Sequence, residues 1–184
     1  MARFVETRAK YVAQRTLFGY VKTRAGTRYT SLFEDEIFVA SVDAAKWEIY
    51  LACLADLSIY AAAAIGRTGA FDKPALDGLA LDCFLAGLVV DQLPDRRAEG
   101  FGRDRDAFDR RLAETRWAEI PEGEAVFENS LKALVHWAPV ADELKQYDVV
   151  PVRNSMRFQW KTVRDQLKDL LDADAVAAGV PSPD

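Results

Sequence analysis

The chain has 184 residues, half of them hydrophobic and 29% charged, a balance typical of a globular domain rather than of a disordered protein. Its net charge of −5 disfavours nucleic-acid binding through overall charge. Two cysteines and one histidine are too few for a disulfide framework, a zinc site or a di-iron site, so we expect no metal, no cofactor and a reducing, cytoplasmic compartment.

The charge is unevenly distributed along the chain. Residues 1–28 carry seven Lys or Arg and a single acid, Glu6, for a net charge of +6. Because the whole chain carries −5, the remaining residues carry −11. The basic start is not typical of a secretory signal, since Arg15 interrupts the apolar core that such a signal needs. An organelle transit peptide is the alternative that an Arg-rich, acid-poor start leaves open.

The N-terminal part of the sequence predicts two helices. Residues 2–24 have helical spacing without proline, and Gly26 is expected to end that helix. Ser31 and Glu34 are spaced as in a capping box, in which the two side chains satisfy orphan amides at a helix start. A second helix is therefore expected to begin there and to end at a break near residues 41–43.

The most apolar stretch of the chain covers residues 44–65, in which Asp56 is the only charge after Glu48. A helix that is apolar on all faces is either the central helix of a globular core or a membrane span. A span needs about 20 apolar residues, and a carboxylate within it costs roughly 2.5–3.5 kcal/mol. We therefore interpret residues 43–66 as a buried central helix; a membrane-embedded hairpin is the weaker alternative.

A second apolar helix follows after a short turn. Asp72, with a proline two residues later, marks the start of a helix over 73–92. The short turn predicts that this helix and the one over 43–66 form an antiparallel hairpin at the centre of the fold. Gly78 and Gly87 would allow a neighbouring helix to approach closely.

In the predicted hairpin, two pairs of reactive residues lie at the same level along the two antiparallel helices. Cys53 lies level with Cys83, and Asp56 lies near Asp82. Two carboxylates facing each other in a dry interface have coupled titrations, which general acid–base chemistry can use. The simpler interpretation is that Asp82 points to solvent and that Asp56 binds a hydroxyl or an arginine, and that the cysteines are part of the core.

The second half of the sequence predicts shorter helices and a tail. A mixed-charge loop is expected over 94–106. Pro151 predicts that residues 148–152 are extended, because proline lacks an amide donor and disfavours helix at the preceding residue. Residues 173–184 are small and proline-bearing, so we expect a flexible tail after a single domain of about seven helices over 1–172. The predicted helices lie over 106–119, 124–137, 140–147 and from about 155 to 171.

Aromatic and cationic residues alternate along the first helix. Three aromatics recur every seven residues, and three cations recur at the same interval, four positions later. Residues three or four apart are neighbours on a helix surface, so the two sets form one aromatic–cationic stripe. Such a stripe can stack internally or contact phosphates, anionic lipid heads or an acidic protein patch. The stripe consists of Phe4, Arg8, Tyr11, Arg15, Phe18 and Lys22.

The last helix carries a second group of cations, the basic ridge. Its members are three or four residues apart, so they share one helix face beside an apolar seam. The simplest interpretation of both basic surfaces is a solvated face with ion pairs worth about 0–1 kcal/mol each. The ridge consists of Arg153, Arg157, Lys161, Arg164 and Lys168.

The charge segregation favours a non-catalytic interaction or adaptor protein. Its basic terminal helices would bind an acidic protein or an anionic membrane surface, with a cytoplasmic or peripheral membrane location and self-association as a homodimer. The alternative is a small hydrolase-like enzyme that uses Asp56 and Asp82 as its acid–base pair, in a solvent-reachable pocket between the hairpin helices. No nucleophile elbow or P-loop accompanies the single histidine, His136, so the sequence favours the first hypothesis.

Overall fold

The computed structural model describes residues 1–89 and 99–172, together with residue 175. Throughout this part of the chain the structure is all-α, as predicted, with six α-helices joined by turns and short 3-10 segments and with no strand. Apart from residue 175, the predicted tail over 173–184 lies outside the described residues. The helices are α1 (Ala2–Ala25), α2 (Glu36–Gly66), α3 (Lys73–Gly87), α4 (Gly102–Glu114), α5 (Glu128–Trp137) and α6 (Asp142–Leu170).

The start of α2 differs from the prediction. The Ser31 hydroxyl donates to the Arg28 carbonyl at 2.9 Å and lies in a short 3-10 segment, so the capping box of Ser31 and Glu34 is wrong. The N-cap is Asp35 instead, whose carboxylate accepts from the Ile37 amide at 2.8 Å. An aspartate N-cap satisfies the same orphan amides that the capping box would have satisfied.

The predicted break near residues 41–43 is also wrong, because α2 is continuous. The Ser41 hydroxyl donates back to the Ile37 carbonyl at 2.8 Å, so it serves the helix that already exists rather than capping a new one. By length and composition, α2 is the one described helix that is apolar enough to cross a membrane. In this structure 78% of its most apolar window is buried among the other helices, as in the core helix of a globular domain.

The centre of the fold includes α1 as well as the two predicted hairpin helices. α2 packs most extensively against α1, and α3 packs against both of them. α1 can approach α2 and α3 closely because small and β-branched residues line its buried face, including Val5, Ala9 and Ala13. α5 and α6 cover the remaining sides of this core.

One of the two glycines predicted to allow close helix approach does so. The Tyr50 hydroxyl donates to the Gly87 carbonyl at 2.8 Å, and a Cβ at Gly87 would lie 2.5 Å from a methyl carbon of Leu54. This part of the prediction is confirmed. Gly78 has no atom of a neighbouring element within 4 Å of a Cβ position, so that part is wrong.

We expect Gly87→Ala to lower the free energy of unfolding by about 1–3 kcal/mol, because the added methyl overpacks the contact with Leu54. Gly78→Ala is the matched control within the same helix. It should raise the free energy of unfolding by about 0.5–1 kcal/mol, since alanine is the better helix former at an exposed interior position. Urea denaturation followed by circular dichroism measures both; stabilisation by both substitutions would contradict the close approach.

The helix ends around α3 and α4 also differ from the prediction. α3 ends at Gly87, whereas the predicted helix continued to residue 92; residues 90–92 lie outside the described part of the chain. α4 begins at Gly102, inside the predicted loop over 94–106, of which residues 94–98 are not described.

The predicted extended segment over 148–152 is wrong, because α6 is continuous and contains Pro151. Proline removes one amide donor from the helix ladder, a local cost that tertiary contacts offset here. Asp148 is buried against the Tyr20 hydroxyl, which donates to its carboxylate at 2.7 Å, and Val152 is part of the core. These two contacts lie on either side of the proline and hold both halves of α6 on the same core.

Candidate functional site

A groove of about 750 Å³ lies between α1 and α6, and the aromatic–cationic stripe forms one of its walls. We call it the basic groove. Its α1 wall includes Tyr11, Gln14, Arg15, Phe18 and Lys22, its α6 wall includes Pro151, Val152, Ser155 and Gln159, and Tyr29 also lines it.

Helix geometry accounts for the position of the α1 wall. Tyr11, Arg15, Phe18 and Lys22 are spaced four, three and four residues apart, so their side chains lie on one face of α1. The opposite face, which includes Val12 and Leu17, is buried in the core. Burial of that face therefore directs these four stripe residues toward the groove.

The first two stripe residues do not line the groove. The Arg8 guanidinium lies over the Phe4 ring, 5.6 Å from the ring centre, which is the internal cation–π stacking that the sequence left open. Four of the six predicted stripe residues are thus brought together in the groove, and two are stacked on each other beside it.

The two cations of the groove have no anionic partner among the residues that the structure describes. Neither Arg15 nor Lys22 forms an ion pair or a side-chain hydrogen bond there, although both line the groove. Lys10 on the same helix is paired with Glu6 at 3.4 Å. Tyr11, beside Arg15, is 48% exposed, so its ring is available to a ligand in the groove. The groove therefore presents unneutralised positive charge next to accessible aromatic surface.

The basic ridge of α6 is different, because four of its five cations have partners. Arg157 lies 3.1 Å from the Glu124 carboxylate, and Lys161 lies 2.7 Å from Asp165. The hydrogen bond from Lys161 lowers the pKa of Asp165, which keeps that carboxylate ionised and its ion pair intact. These two cations are already neutralised within the chain.

The remaining ridge residues surround Glu122. Arg164 donates to the Glu122 carbonyl at 2.8 Å, and the Lys168 ammonium lies 3.9 Å from the Glu122 carboxylate. Arg153 is the exception, since its side chain has no hydrogen-bond or ion-pair partner among the described residues. Its Nε is buried without a partner, as is the Nε of Arg164. None of the ridge residues lines the groove, so the two basic surfaces predicted from the sequence do not form one continuous site.

A buried ion pair holds α1 against α6 beside the groove. The Asp148 carboxylate accepts from the Tyr20 hydroxyl at 2.7 Å and from Arg24 Nε at 2.6 Å. Burial raises the pKa of Tyr20, and the nearby Arg24 charge opposes that rise. Tyr20 also lines the groove, so this ion pair fixes the separation of the two walls.

The second candidate site is centred on Asp56, which is completely buried. Arg111 lies 2.7 Å from one carboxylate oxygen, and the Ser130 amide donates to the other at 2.8 Å. Burial raises the pKa of Asp56, while the Arg111 charge and the Ser130 amide oppose the rise. The Trp160 ring nitrogen donates to the Ser130 hydroxyl at 3.2 Å, which extends the network from α2 through α5 to α6.

The predicted pairing of Asp56 with Asp82 in a dry interface is wrong. Asp82 is exposed to solvent, whereas Asp56 is buried and bound to an arginine, as the simpler interpretation expected. A cavity of about 310 Å³ is lined by apolar side chains and by four polar or charged residues, Glu48, Asp104, Arg111 and Asn129. Neither Asp56 nor Asp82 lines it. The acid–base pair of the hydrolase-like alternative is therefore not formed.

The two cysteines are both free and buried. Burial raises the pKa of Cys83 to about 11, and it raises the pKa of Cys53 well above its ordinary value. A thiol with a raised pKa is seldom the reactive thiolate at neutral pH, so both cysteines behave as small apolar core residues.

In the described parts of the chain, no three side chains of His, Cys, Asp or Glu come together as metal ligands would. Comparisons with known protein families, with curated proteins and with solved structures find no match to this chain. Because a helical fold supports many roles, the side chains of the groove are the basis on which a function can be inferred.

The sequence did not predict the α6 wall of the groove. Pro151 and Val152 belong to this wall because α6 continues through the segment that was predicted to be extended. Ser155 and Gln159 lie within the predicted last helix, but the sequence did not show that this face packs beside α1. A weak signal was available in the spacing of Val152 and Met156, which continues the apolar seam of the last helix backwards by one turn.

Proposed function

We propose that this chain is a non-catalytic interaction protein whose basic groove binds an anionic partner. The observation that carries the proposal is that Arg15 and Lys22 line a concave site without a carboxylate partner in the described part of the chain. Charge-assisted hydrogen bonds are roughly twice as strong as neutral ones, and such donors on an accessible wall attract anions before contact.

The groove is the better candidate than the basic ridge. An anion that binds Arg157 or Lys161 must compete with Glu124 or Asp165, which already neutralise them. Exposed ion pairs are worth about 0–1 kcal/mol, so these two pairs can open, but neither of the two cations is unpaired at the outset. We assign Arg153, Arg157, Lys161 and Arg164 a secondary part, the long-range attraction of the same anionic partner.

The shape of the groove favours an acidic protein over an anionic membrane surface. A lipid surface is broad, and helices that lie on it present a projecting face of cations and rings. Here Arg15 and Lys22 lie opposite an α6 wall that includes Val152 and Gln159, so a flat surface reaches them less readily than a narrow chain does. A membrane surface remains the competing partner in the test below.

We also propose a single domain with the α2–α3 hairpin at its centre, a cytoplasmic location and self-association as a homodimer. Three large apolar side chains on α6 support the last of these. The exposed fraction is 73% for Tyr147, 62% for Val150 and 67% for Phe158. Large apolar side chains that are exposed together on one surface mark protein–protein interaction sites.

The test compares two double variants with the same change in net charge. We expect Arg15→Ala with Lys22→Ala to weaken binding of fluorescent poly-glutamate by about tenfold or more, since two charge-assisted contacts are lost. The matched control, Arg157→Ala with Lys161→Ala, should weaken it less than about threefold. Fluorescence anisotropy at two salt concentrations gives both numbers.

Equal losses in the two variants would show that binding depends on overall charge and would contradict a site in the groove. Vesicles containing phosphatidylserine are the second probe in the same experiment. If they bind the unmodified chain and poly-glutamate does not, the partner is a membrane surface and the preference for a protein is wrong.

A further inference from the structure

The side of α6 that points away from the core forms one continuous exposed surface. Phe158, for example, comes two positions after the buried Met156, which turns it about 200° away from that core residue. Other residues with the same direction recur at intervals of three or four, so they are neighbours on the helix surface. We call this surface the outer face of α6. It consists of Glu143, Tyr147, Val150, Asn154, Phe158, Lys161 and Asp165, all of which are exposed.

Two aromatic rings, those of Tyr147 and Phe158, make up most of the apolar area of the outer face. An aromatic side chain buries roughly 150–250 Å² when it is fully covered. At their exposed fractions, the four rings of two copies supply up to roughly 400–700 Å² of the ~1,200 Å² at which stable specific interfaces begin. The polar members of the face must supply the rest, so a pair of copies is expected to associate weakly and in a concentration-dependent way.

The charges of the outer face differ between its two ends. Glu143 lies at the N-terminal end, and its carboxylate has no hydrogen-bond or ion-pair partner among the described residues. Lys161, toward the C-terminal end, donates to Asp165 at 2.7 Å, and an ammonium has three donors, so it can accommodate a second carboxylate. The two ends therefore complement each other when a second copy of α6 runs antiparallel. In a parallel pair each charge would face its own copy.

Reversal of α6 about a point between residues 152 and 153 aligns the outer face with itself. Tyr147 of one copy then lies level with Phe158 of the other, and the same contact forms a second time by symmetry. Glu143 of one copy lies within one residue, or about 1.5 Å along the axis, of the level of Lys161 of the other. A single antiparallel alignment therefore satisfies both rings and both charges.

The middle of the outer face also fits this alignment. Asn154 lies close to the axis of the pair, and its side chain has no partner among the described residues. An amide both donates and accepts, so two copies of it can bind each other across a twofold axis. A shift of the alignment by three residues would instead place Glu143 of one copy level with Asp165 of the other, which brings two acids together.

We infer that this chain forms a symmetric dimer through the outer face of α6, with the two helices antiparallel and a twofold axis between residues 152 and 153. The outer face is thus covered by a second copy of the chain. Tyr147 of each copy packs on Phe158 of the other, and Glu143 of each copy pairs with Lys161 of the other. The inference rests on the self-association in the proposed function and is independent of anion binding, since none of these four residues lines the basic groove.

The first test removes one of the two rings. Sedimentation velocity of the full chain over a concentration series gives the dissociation constant of the dimer. We expect Phe158→Ala to raise it by about tenfold or more, because each dimer loses two ring contacts. The matched control is Leu170→Ala, which removes another exposed apolar side chain of α6, about 120° around the helix from Phe158. It should change the dissociation constant by less than about twofold.

The second test exchanges the charges at the two ends. Glu143→Lys and Lys161→Glu should each raise the dissociation constant by about fivefold, because each turns two attractive pairs into repulsive ones. The double variant restores opposite charges across the interface, so its dissociation constant should return to within about twofold of that of the unmodified chain. Failure of the double variant to recover would overturn the antiparallel alignment. So would the absence of an effect of either single substitution, which is the result expected of a parallel pair.

The remaining outcomes separate this inference from the proposed function. A dimer that neither Phe158→Ala nor Glu143→Lys weakens overturns the inference and leaves self-association through another surface. A chain that stays monomeric up to about 1 mM overturns the inference and the proposed self-association together, while poly-glutamate binding tests the groove independently. If that monomer binds phosphatidylserine vesicles and Phe158→Ala abolishes the binding, the outer face is covered by a membrane surface and the second copy is wrong.

Discussion

Replacing Asp56 with alanine is expected to lower the free energy of unfolding by about 3–5 kcal/mol, the range found when one partner of a buried ion pair is removed. Asp56 is completely buried and binds Arg111 at 2.7 Å and the Ser130 amide at 2.8 Å. The substitution leaves the Arg111 charge without compensation and the buried amide without an acceptor. The Arg111 side chain is 27% exposed, so partial hydration places the effect near the lower end of that range. Urea denaturation at neutral pH measures it.

Asp82→Ala is the matched control, since it removes an exposed carboxylate of the neighbouring helix that has no ion-pair partner among the residues the structure describes. Because Asp82 is exposed, we expect a change within about 0.5 kcal/mol. The double variant of Asp56→Ala with Arg111→Ala should be more stable than the sum of the two single effects predicts, because it removes both charges. A large effect of Asp82→Ala would contradict the assignment of Asp56 as the structural carboxylate of this helix pair.

The sequence predicted those features that depend on neighbouring residues or on composition. The bounds of α1 followed from uninterrupted helical spacing and from Gly26, whose φ of 54° falls in the region that favours glycine. The burial of α2 followed from its composition, since a helix apolar on all faces cannot be left in water. The start of α3 followed from Asp72, whose carboxylate accepts from the Ala75 amide at 3.0 Å as an N-cap does.

Features that depend on distant contacts were missed. Pro151 is a local signal for chain extension, but its cost is smaller than the stabilisation from Asp148 and Val152, which are buried on either side of it. The partner of Asp56 could not be identified either, because Arg111 is 55 positions away and one of many arginines in its region. Hairpin geometry suggested Asp82 instead. Neighbouring residues of a helix point in different directions, so an error of one residue in the predicted pairing turns the Asp82 side chain from the interface to solvent.

The candidate site was predicted only in part, because some of its features depend on one helix and others depend on distant contacts. The alternation of rings and cations on α1 is a property of one helix, so its spacing was sufficient to find Tyr11, Arg15, Phe18 and Lys22. Whether those cations were free or paired depends on which acids the fold brings near, and spacing on one helix does not contain that information. Among the described residues, the fold pairs two cations of the α6 ridge, Arg157 and Lys161, with acids and leaves the two cations of the groove unpaired.

Asp148→Ala is expected to lower the free energy of unfolding by about 2–4 kcal/mol, because it leaves the buried Tyr20 hydroxyl and the Arg24 guanidinium without their shared acceptor. The loss should be uneven along α6. Pro151 already interrupts the amide ladder, so the first turns, residues 142–150, are attached to the core mainly through this carboxylate.

Hydrogen exchange distinguishes that local effect from general destabilisation. In Asp148→Ala, amides over residues 142–150 should lose protection at once, while those around Met156, Trp160 and Val163 stay protected up to global unfolding, because these side chains are buried. The matched control is Asp165→Ala on the same helix, which removes only the exposed ion pair with Lys161 and should cost about 0–1 kcal/mol without a local change. Uniform loss of protection along α6 would contradict an effect confined to the turns before the proline. Because Asp148 also fixes the separation of α1 and α6, the same variant should weaken anion binding in the basic groove although it leaves Arg15 and Lys22 in place.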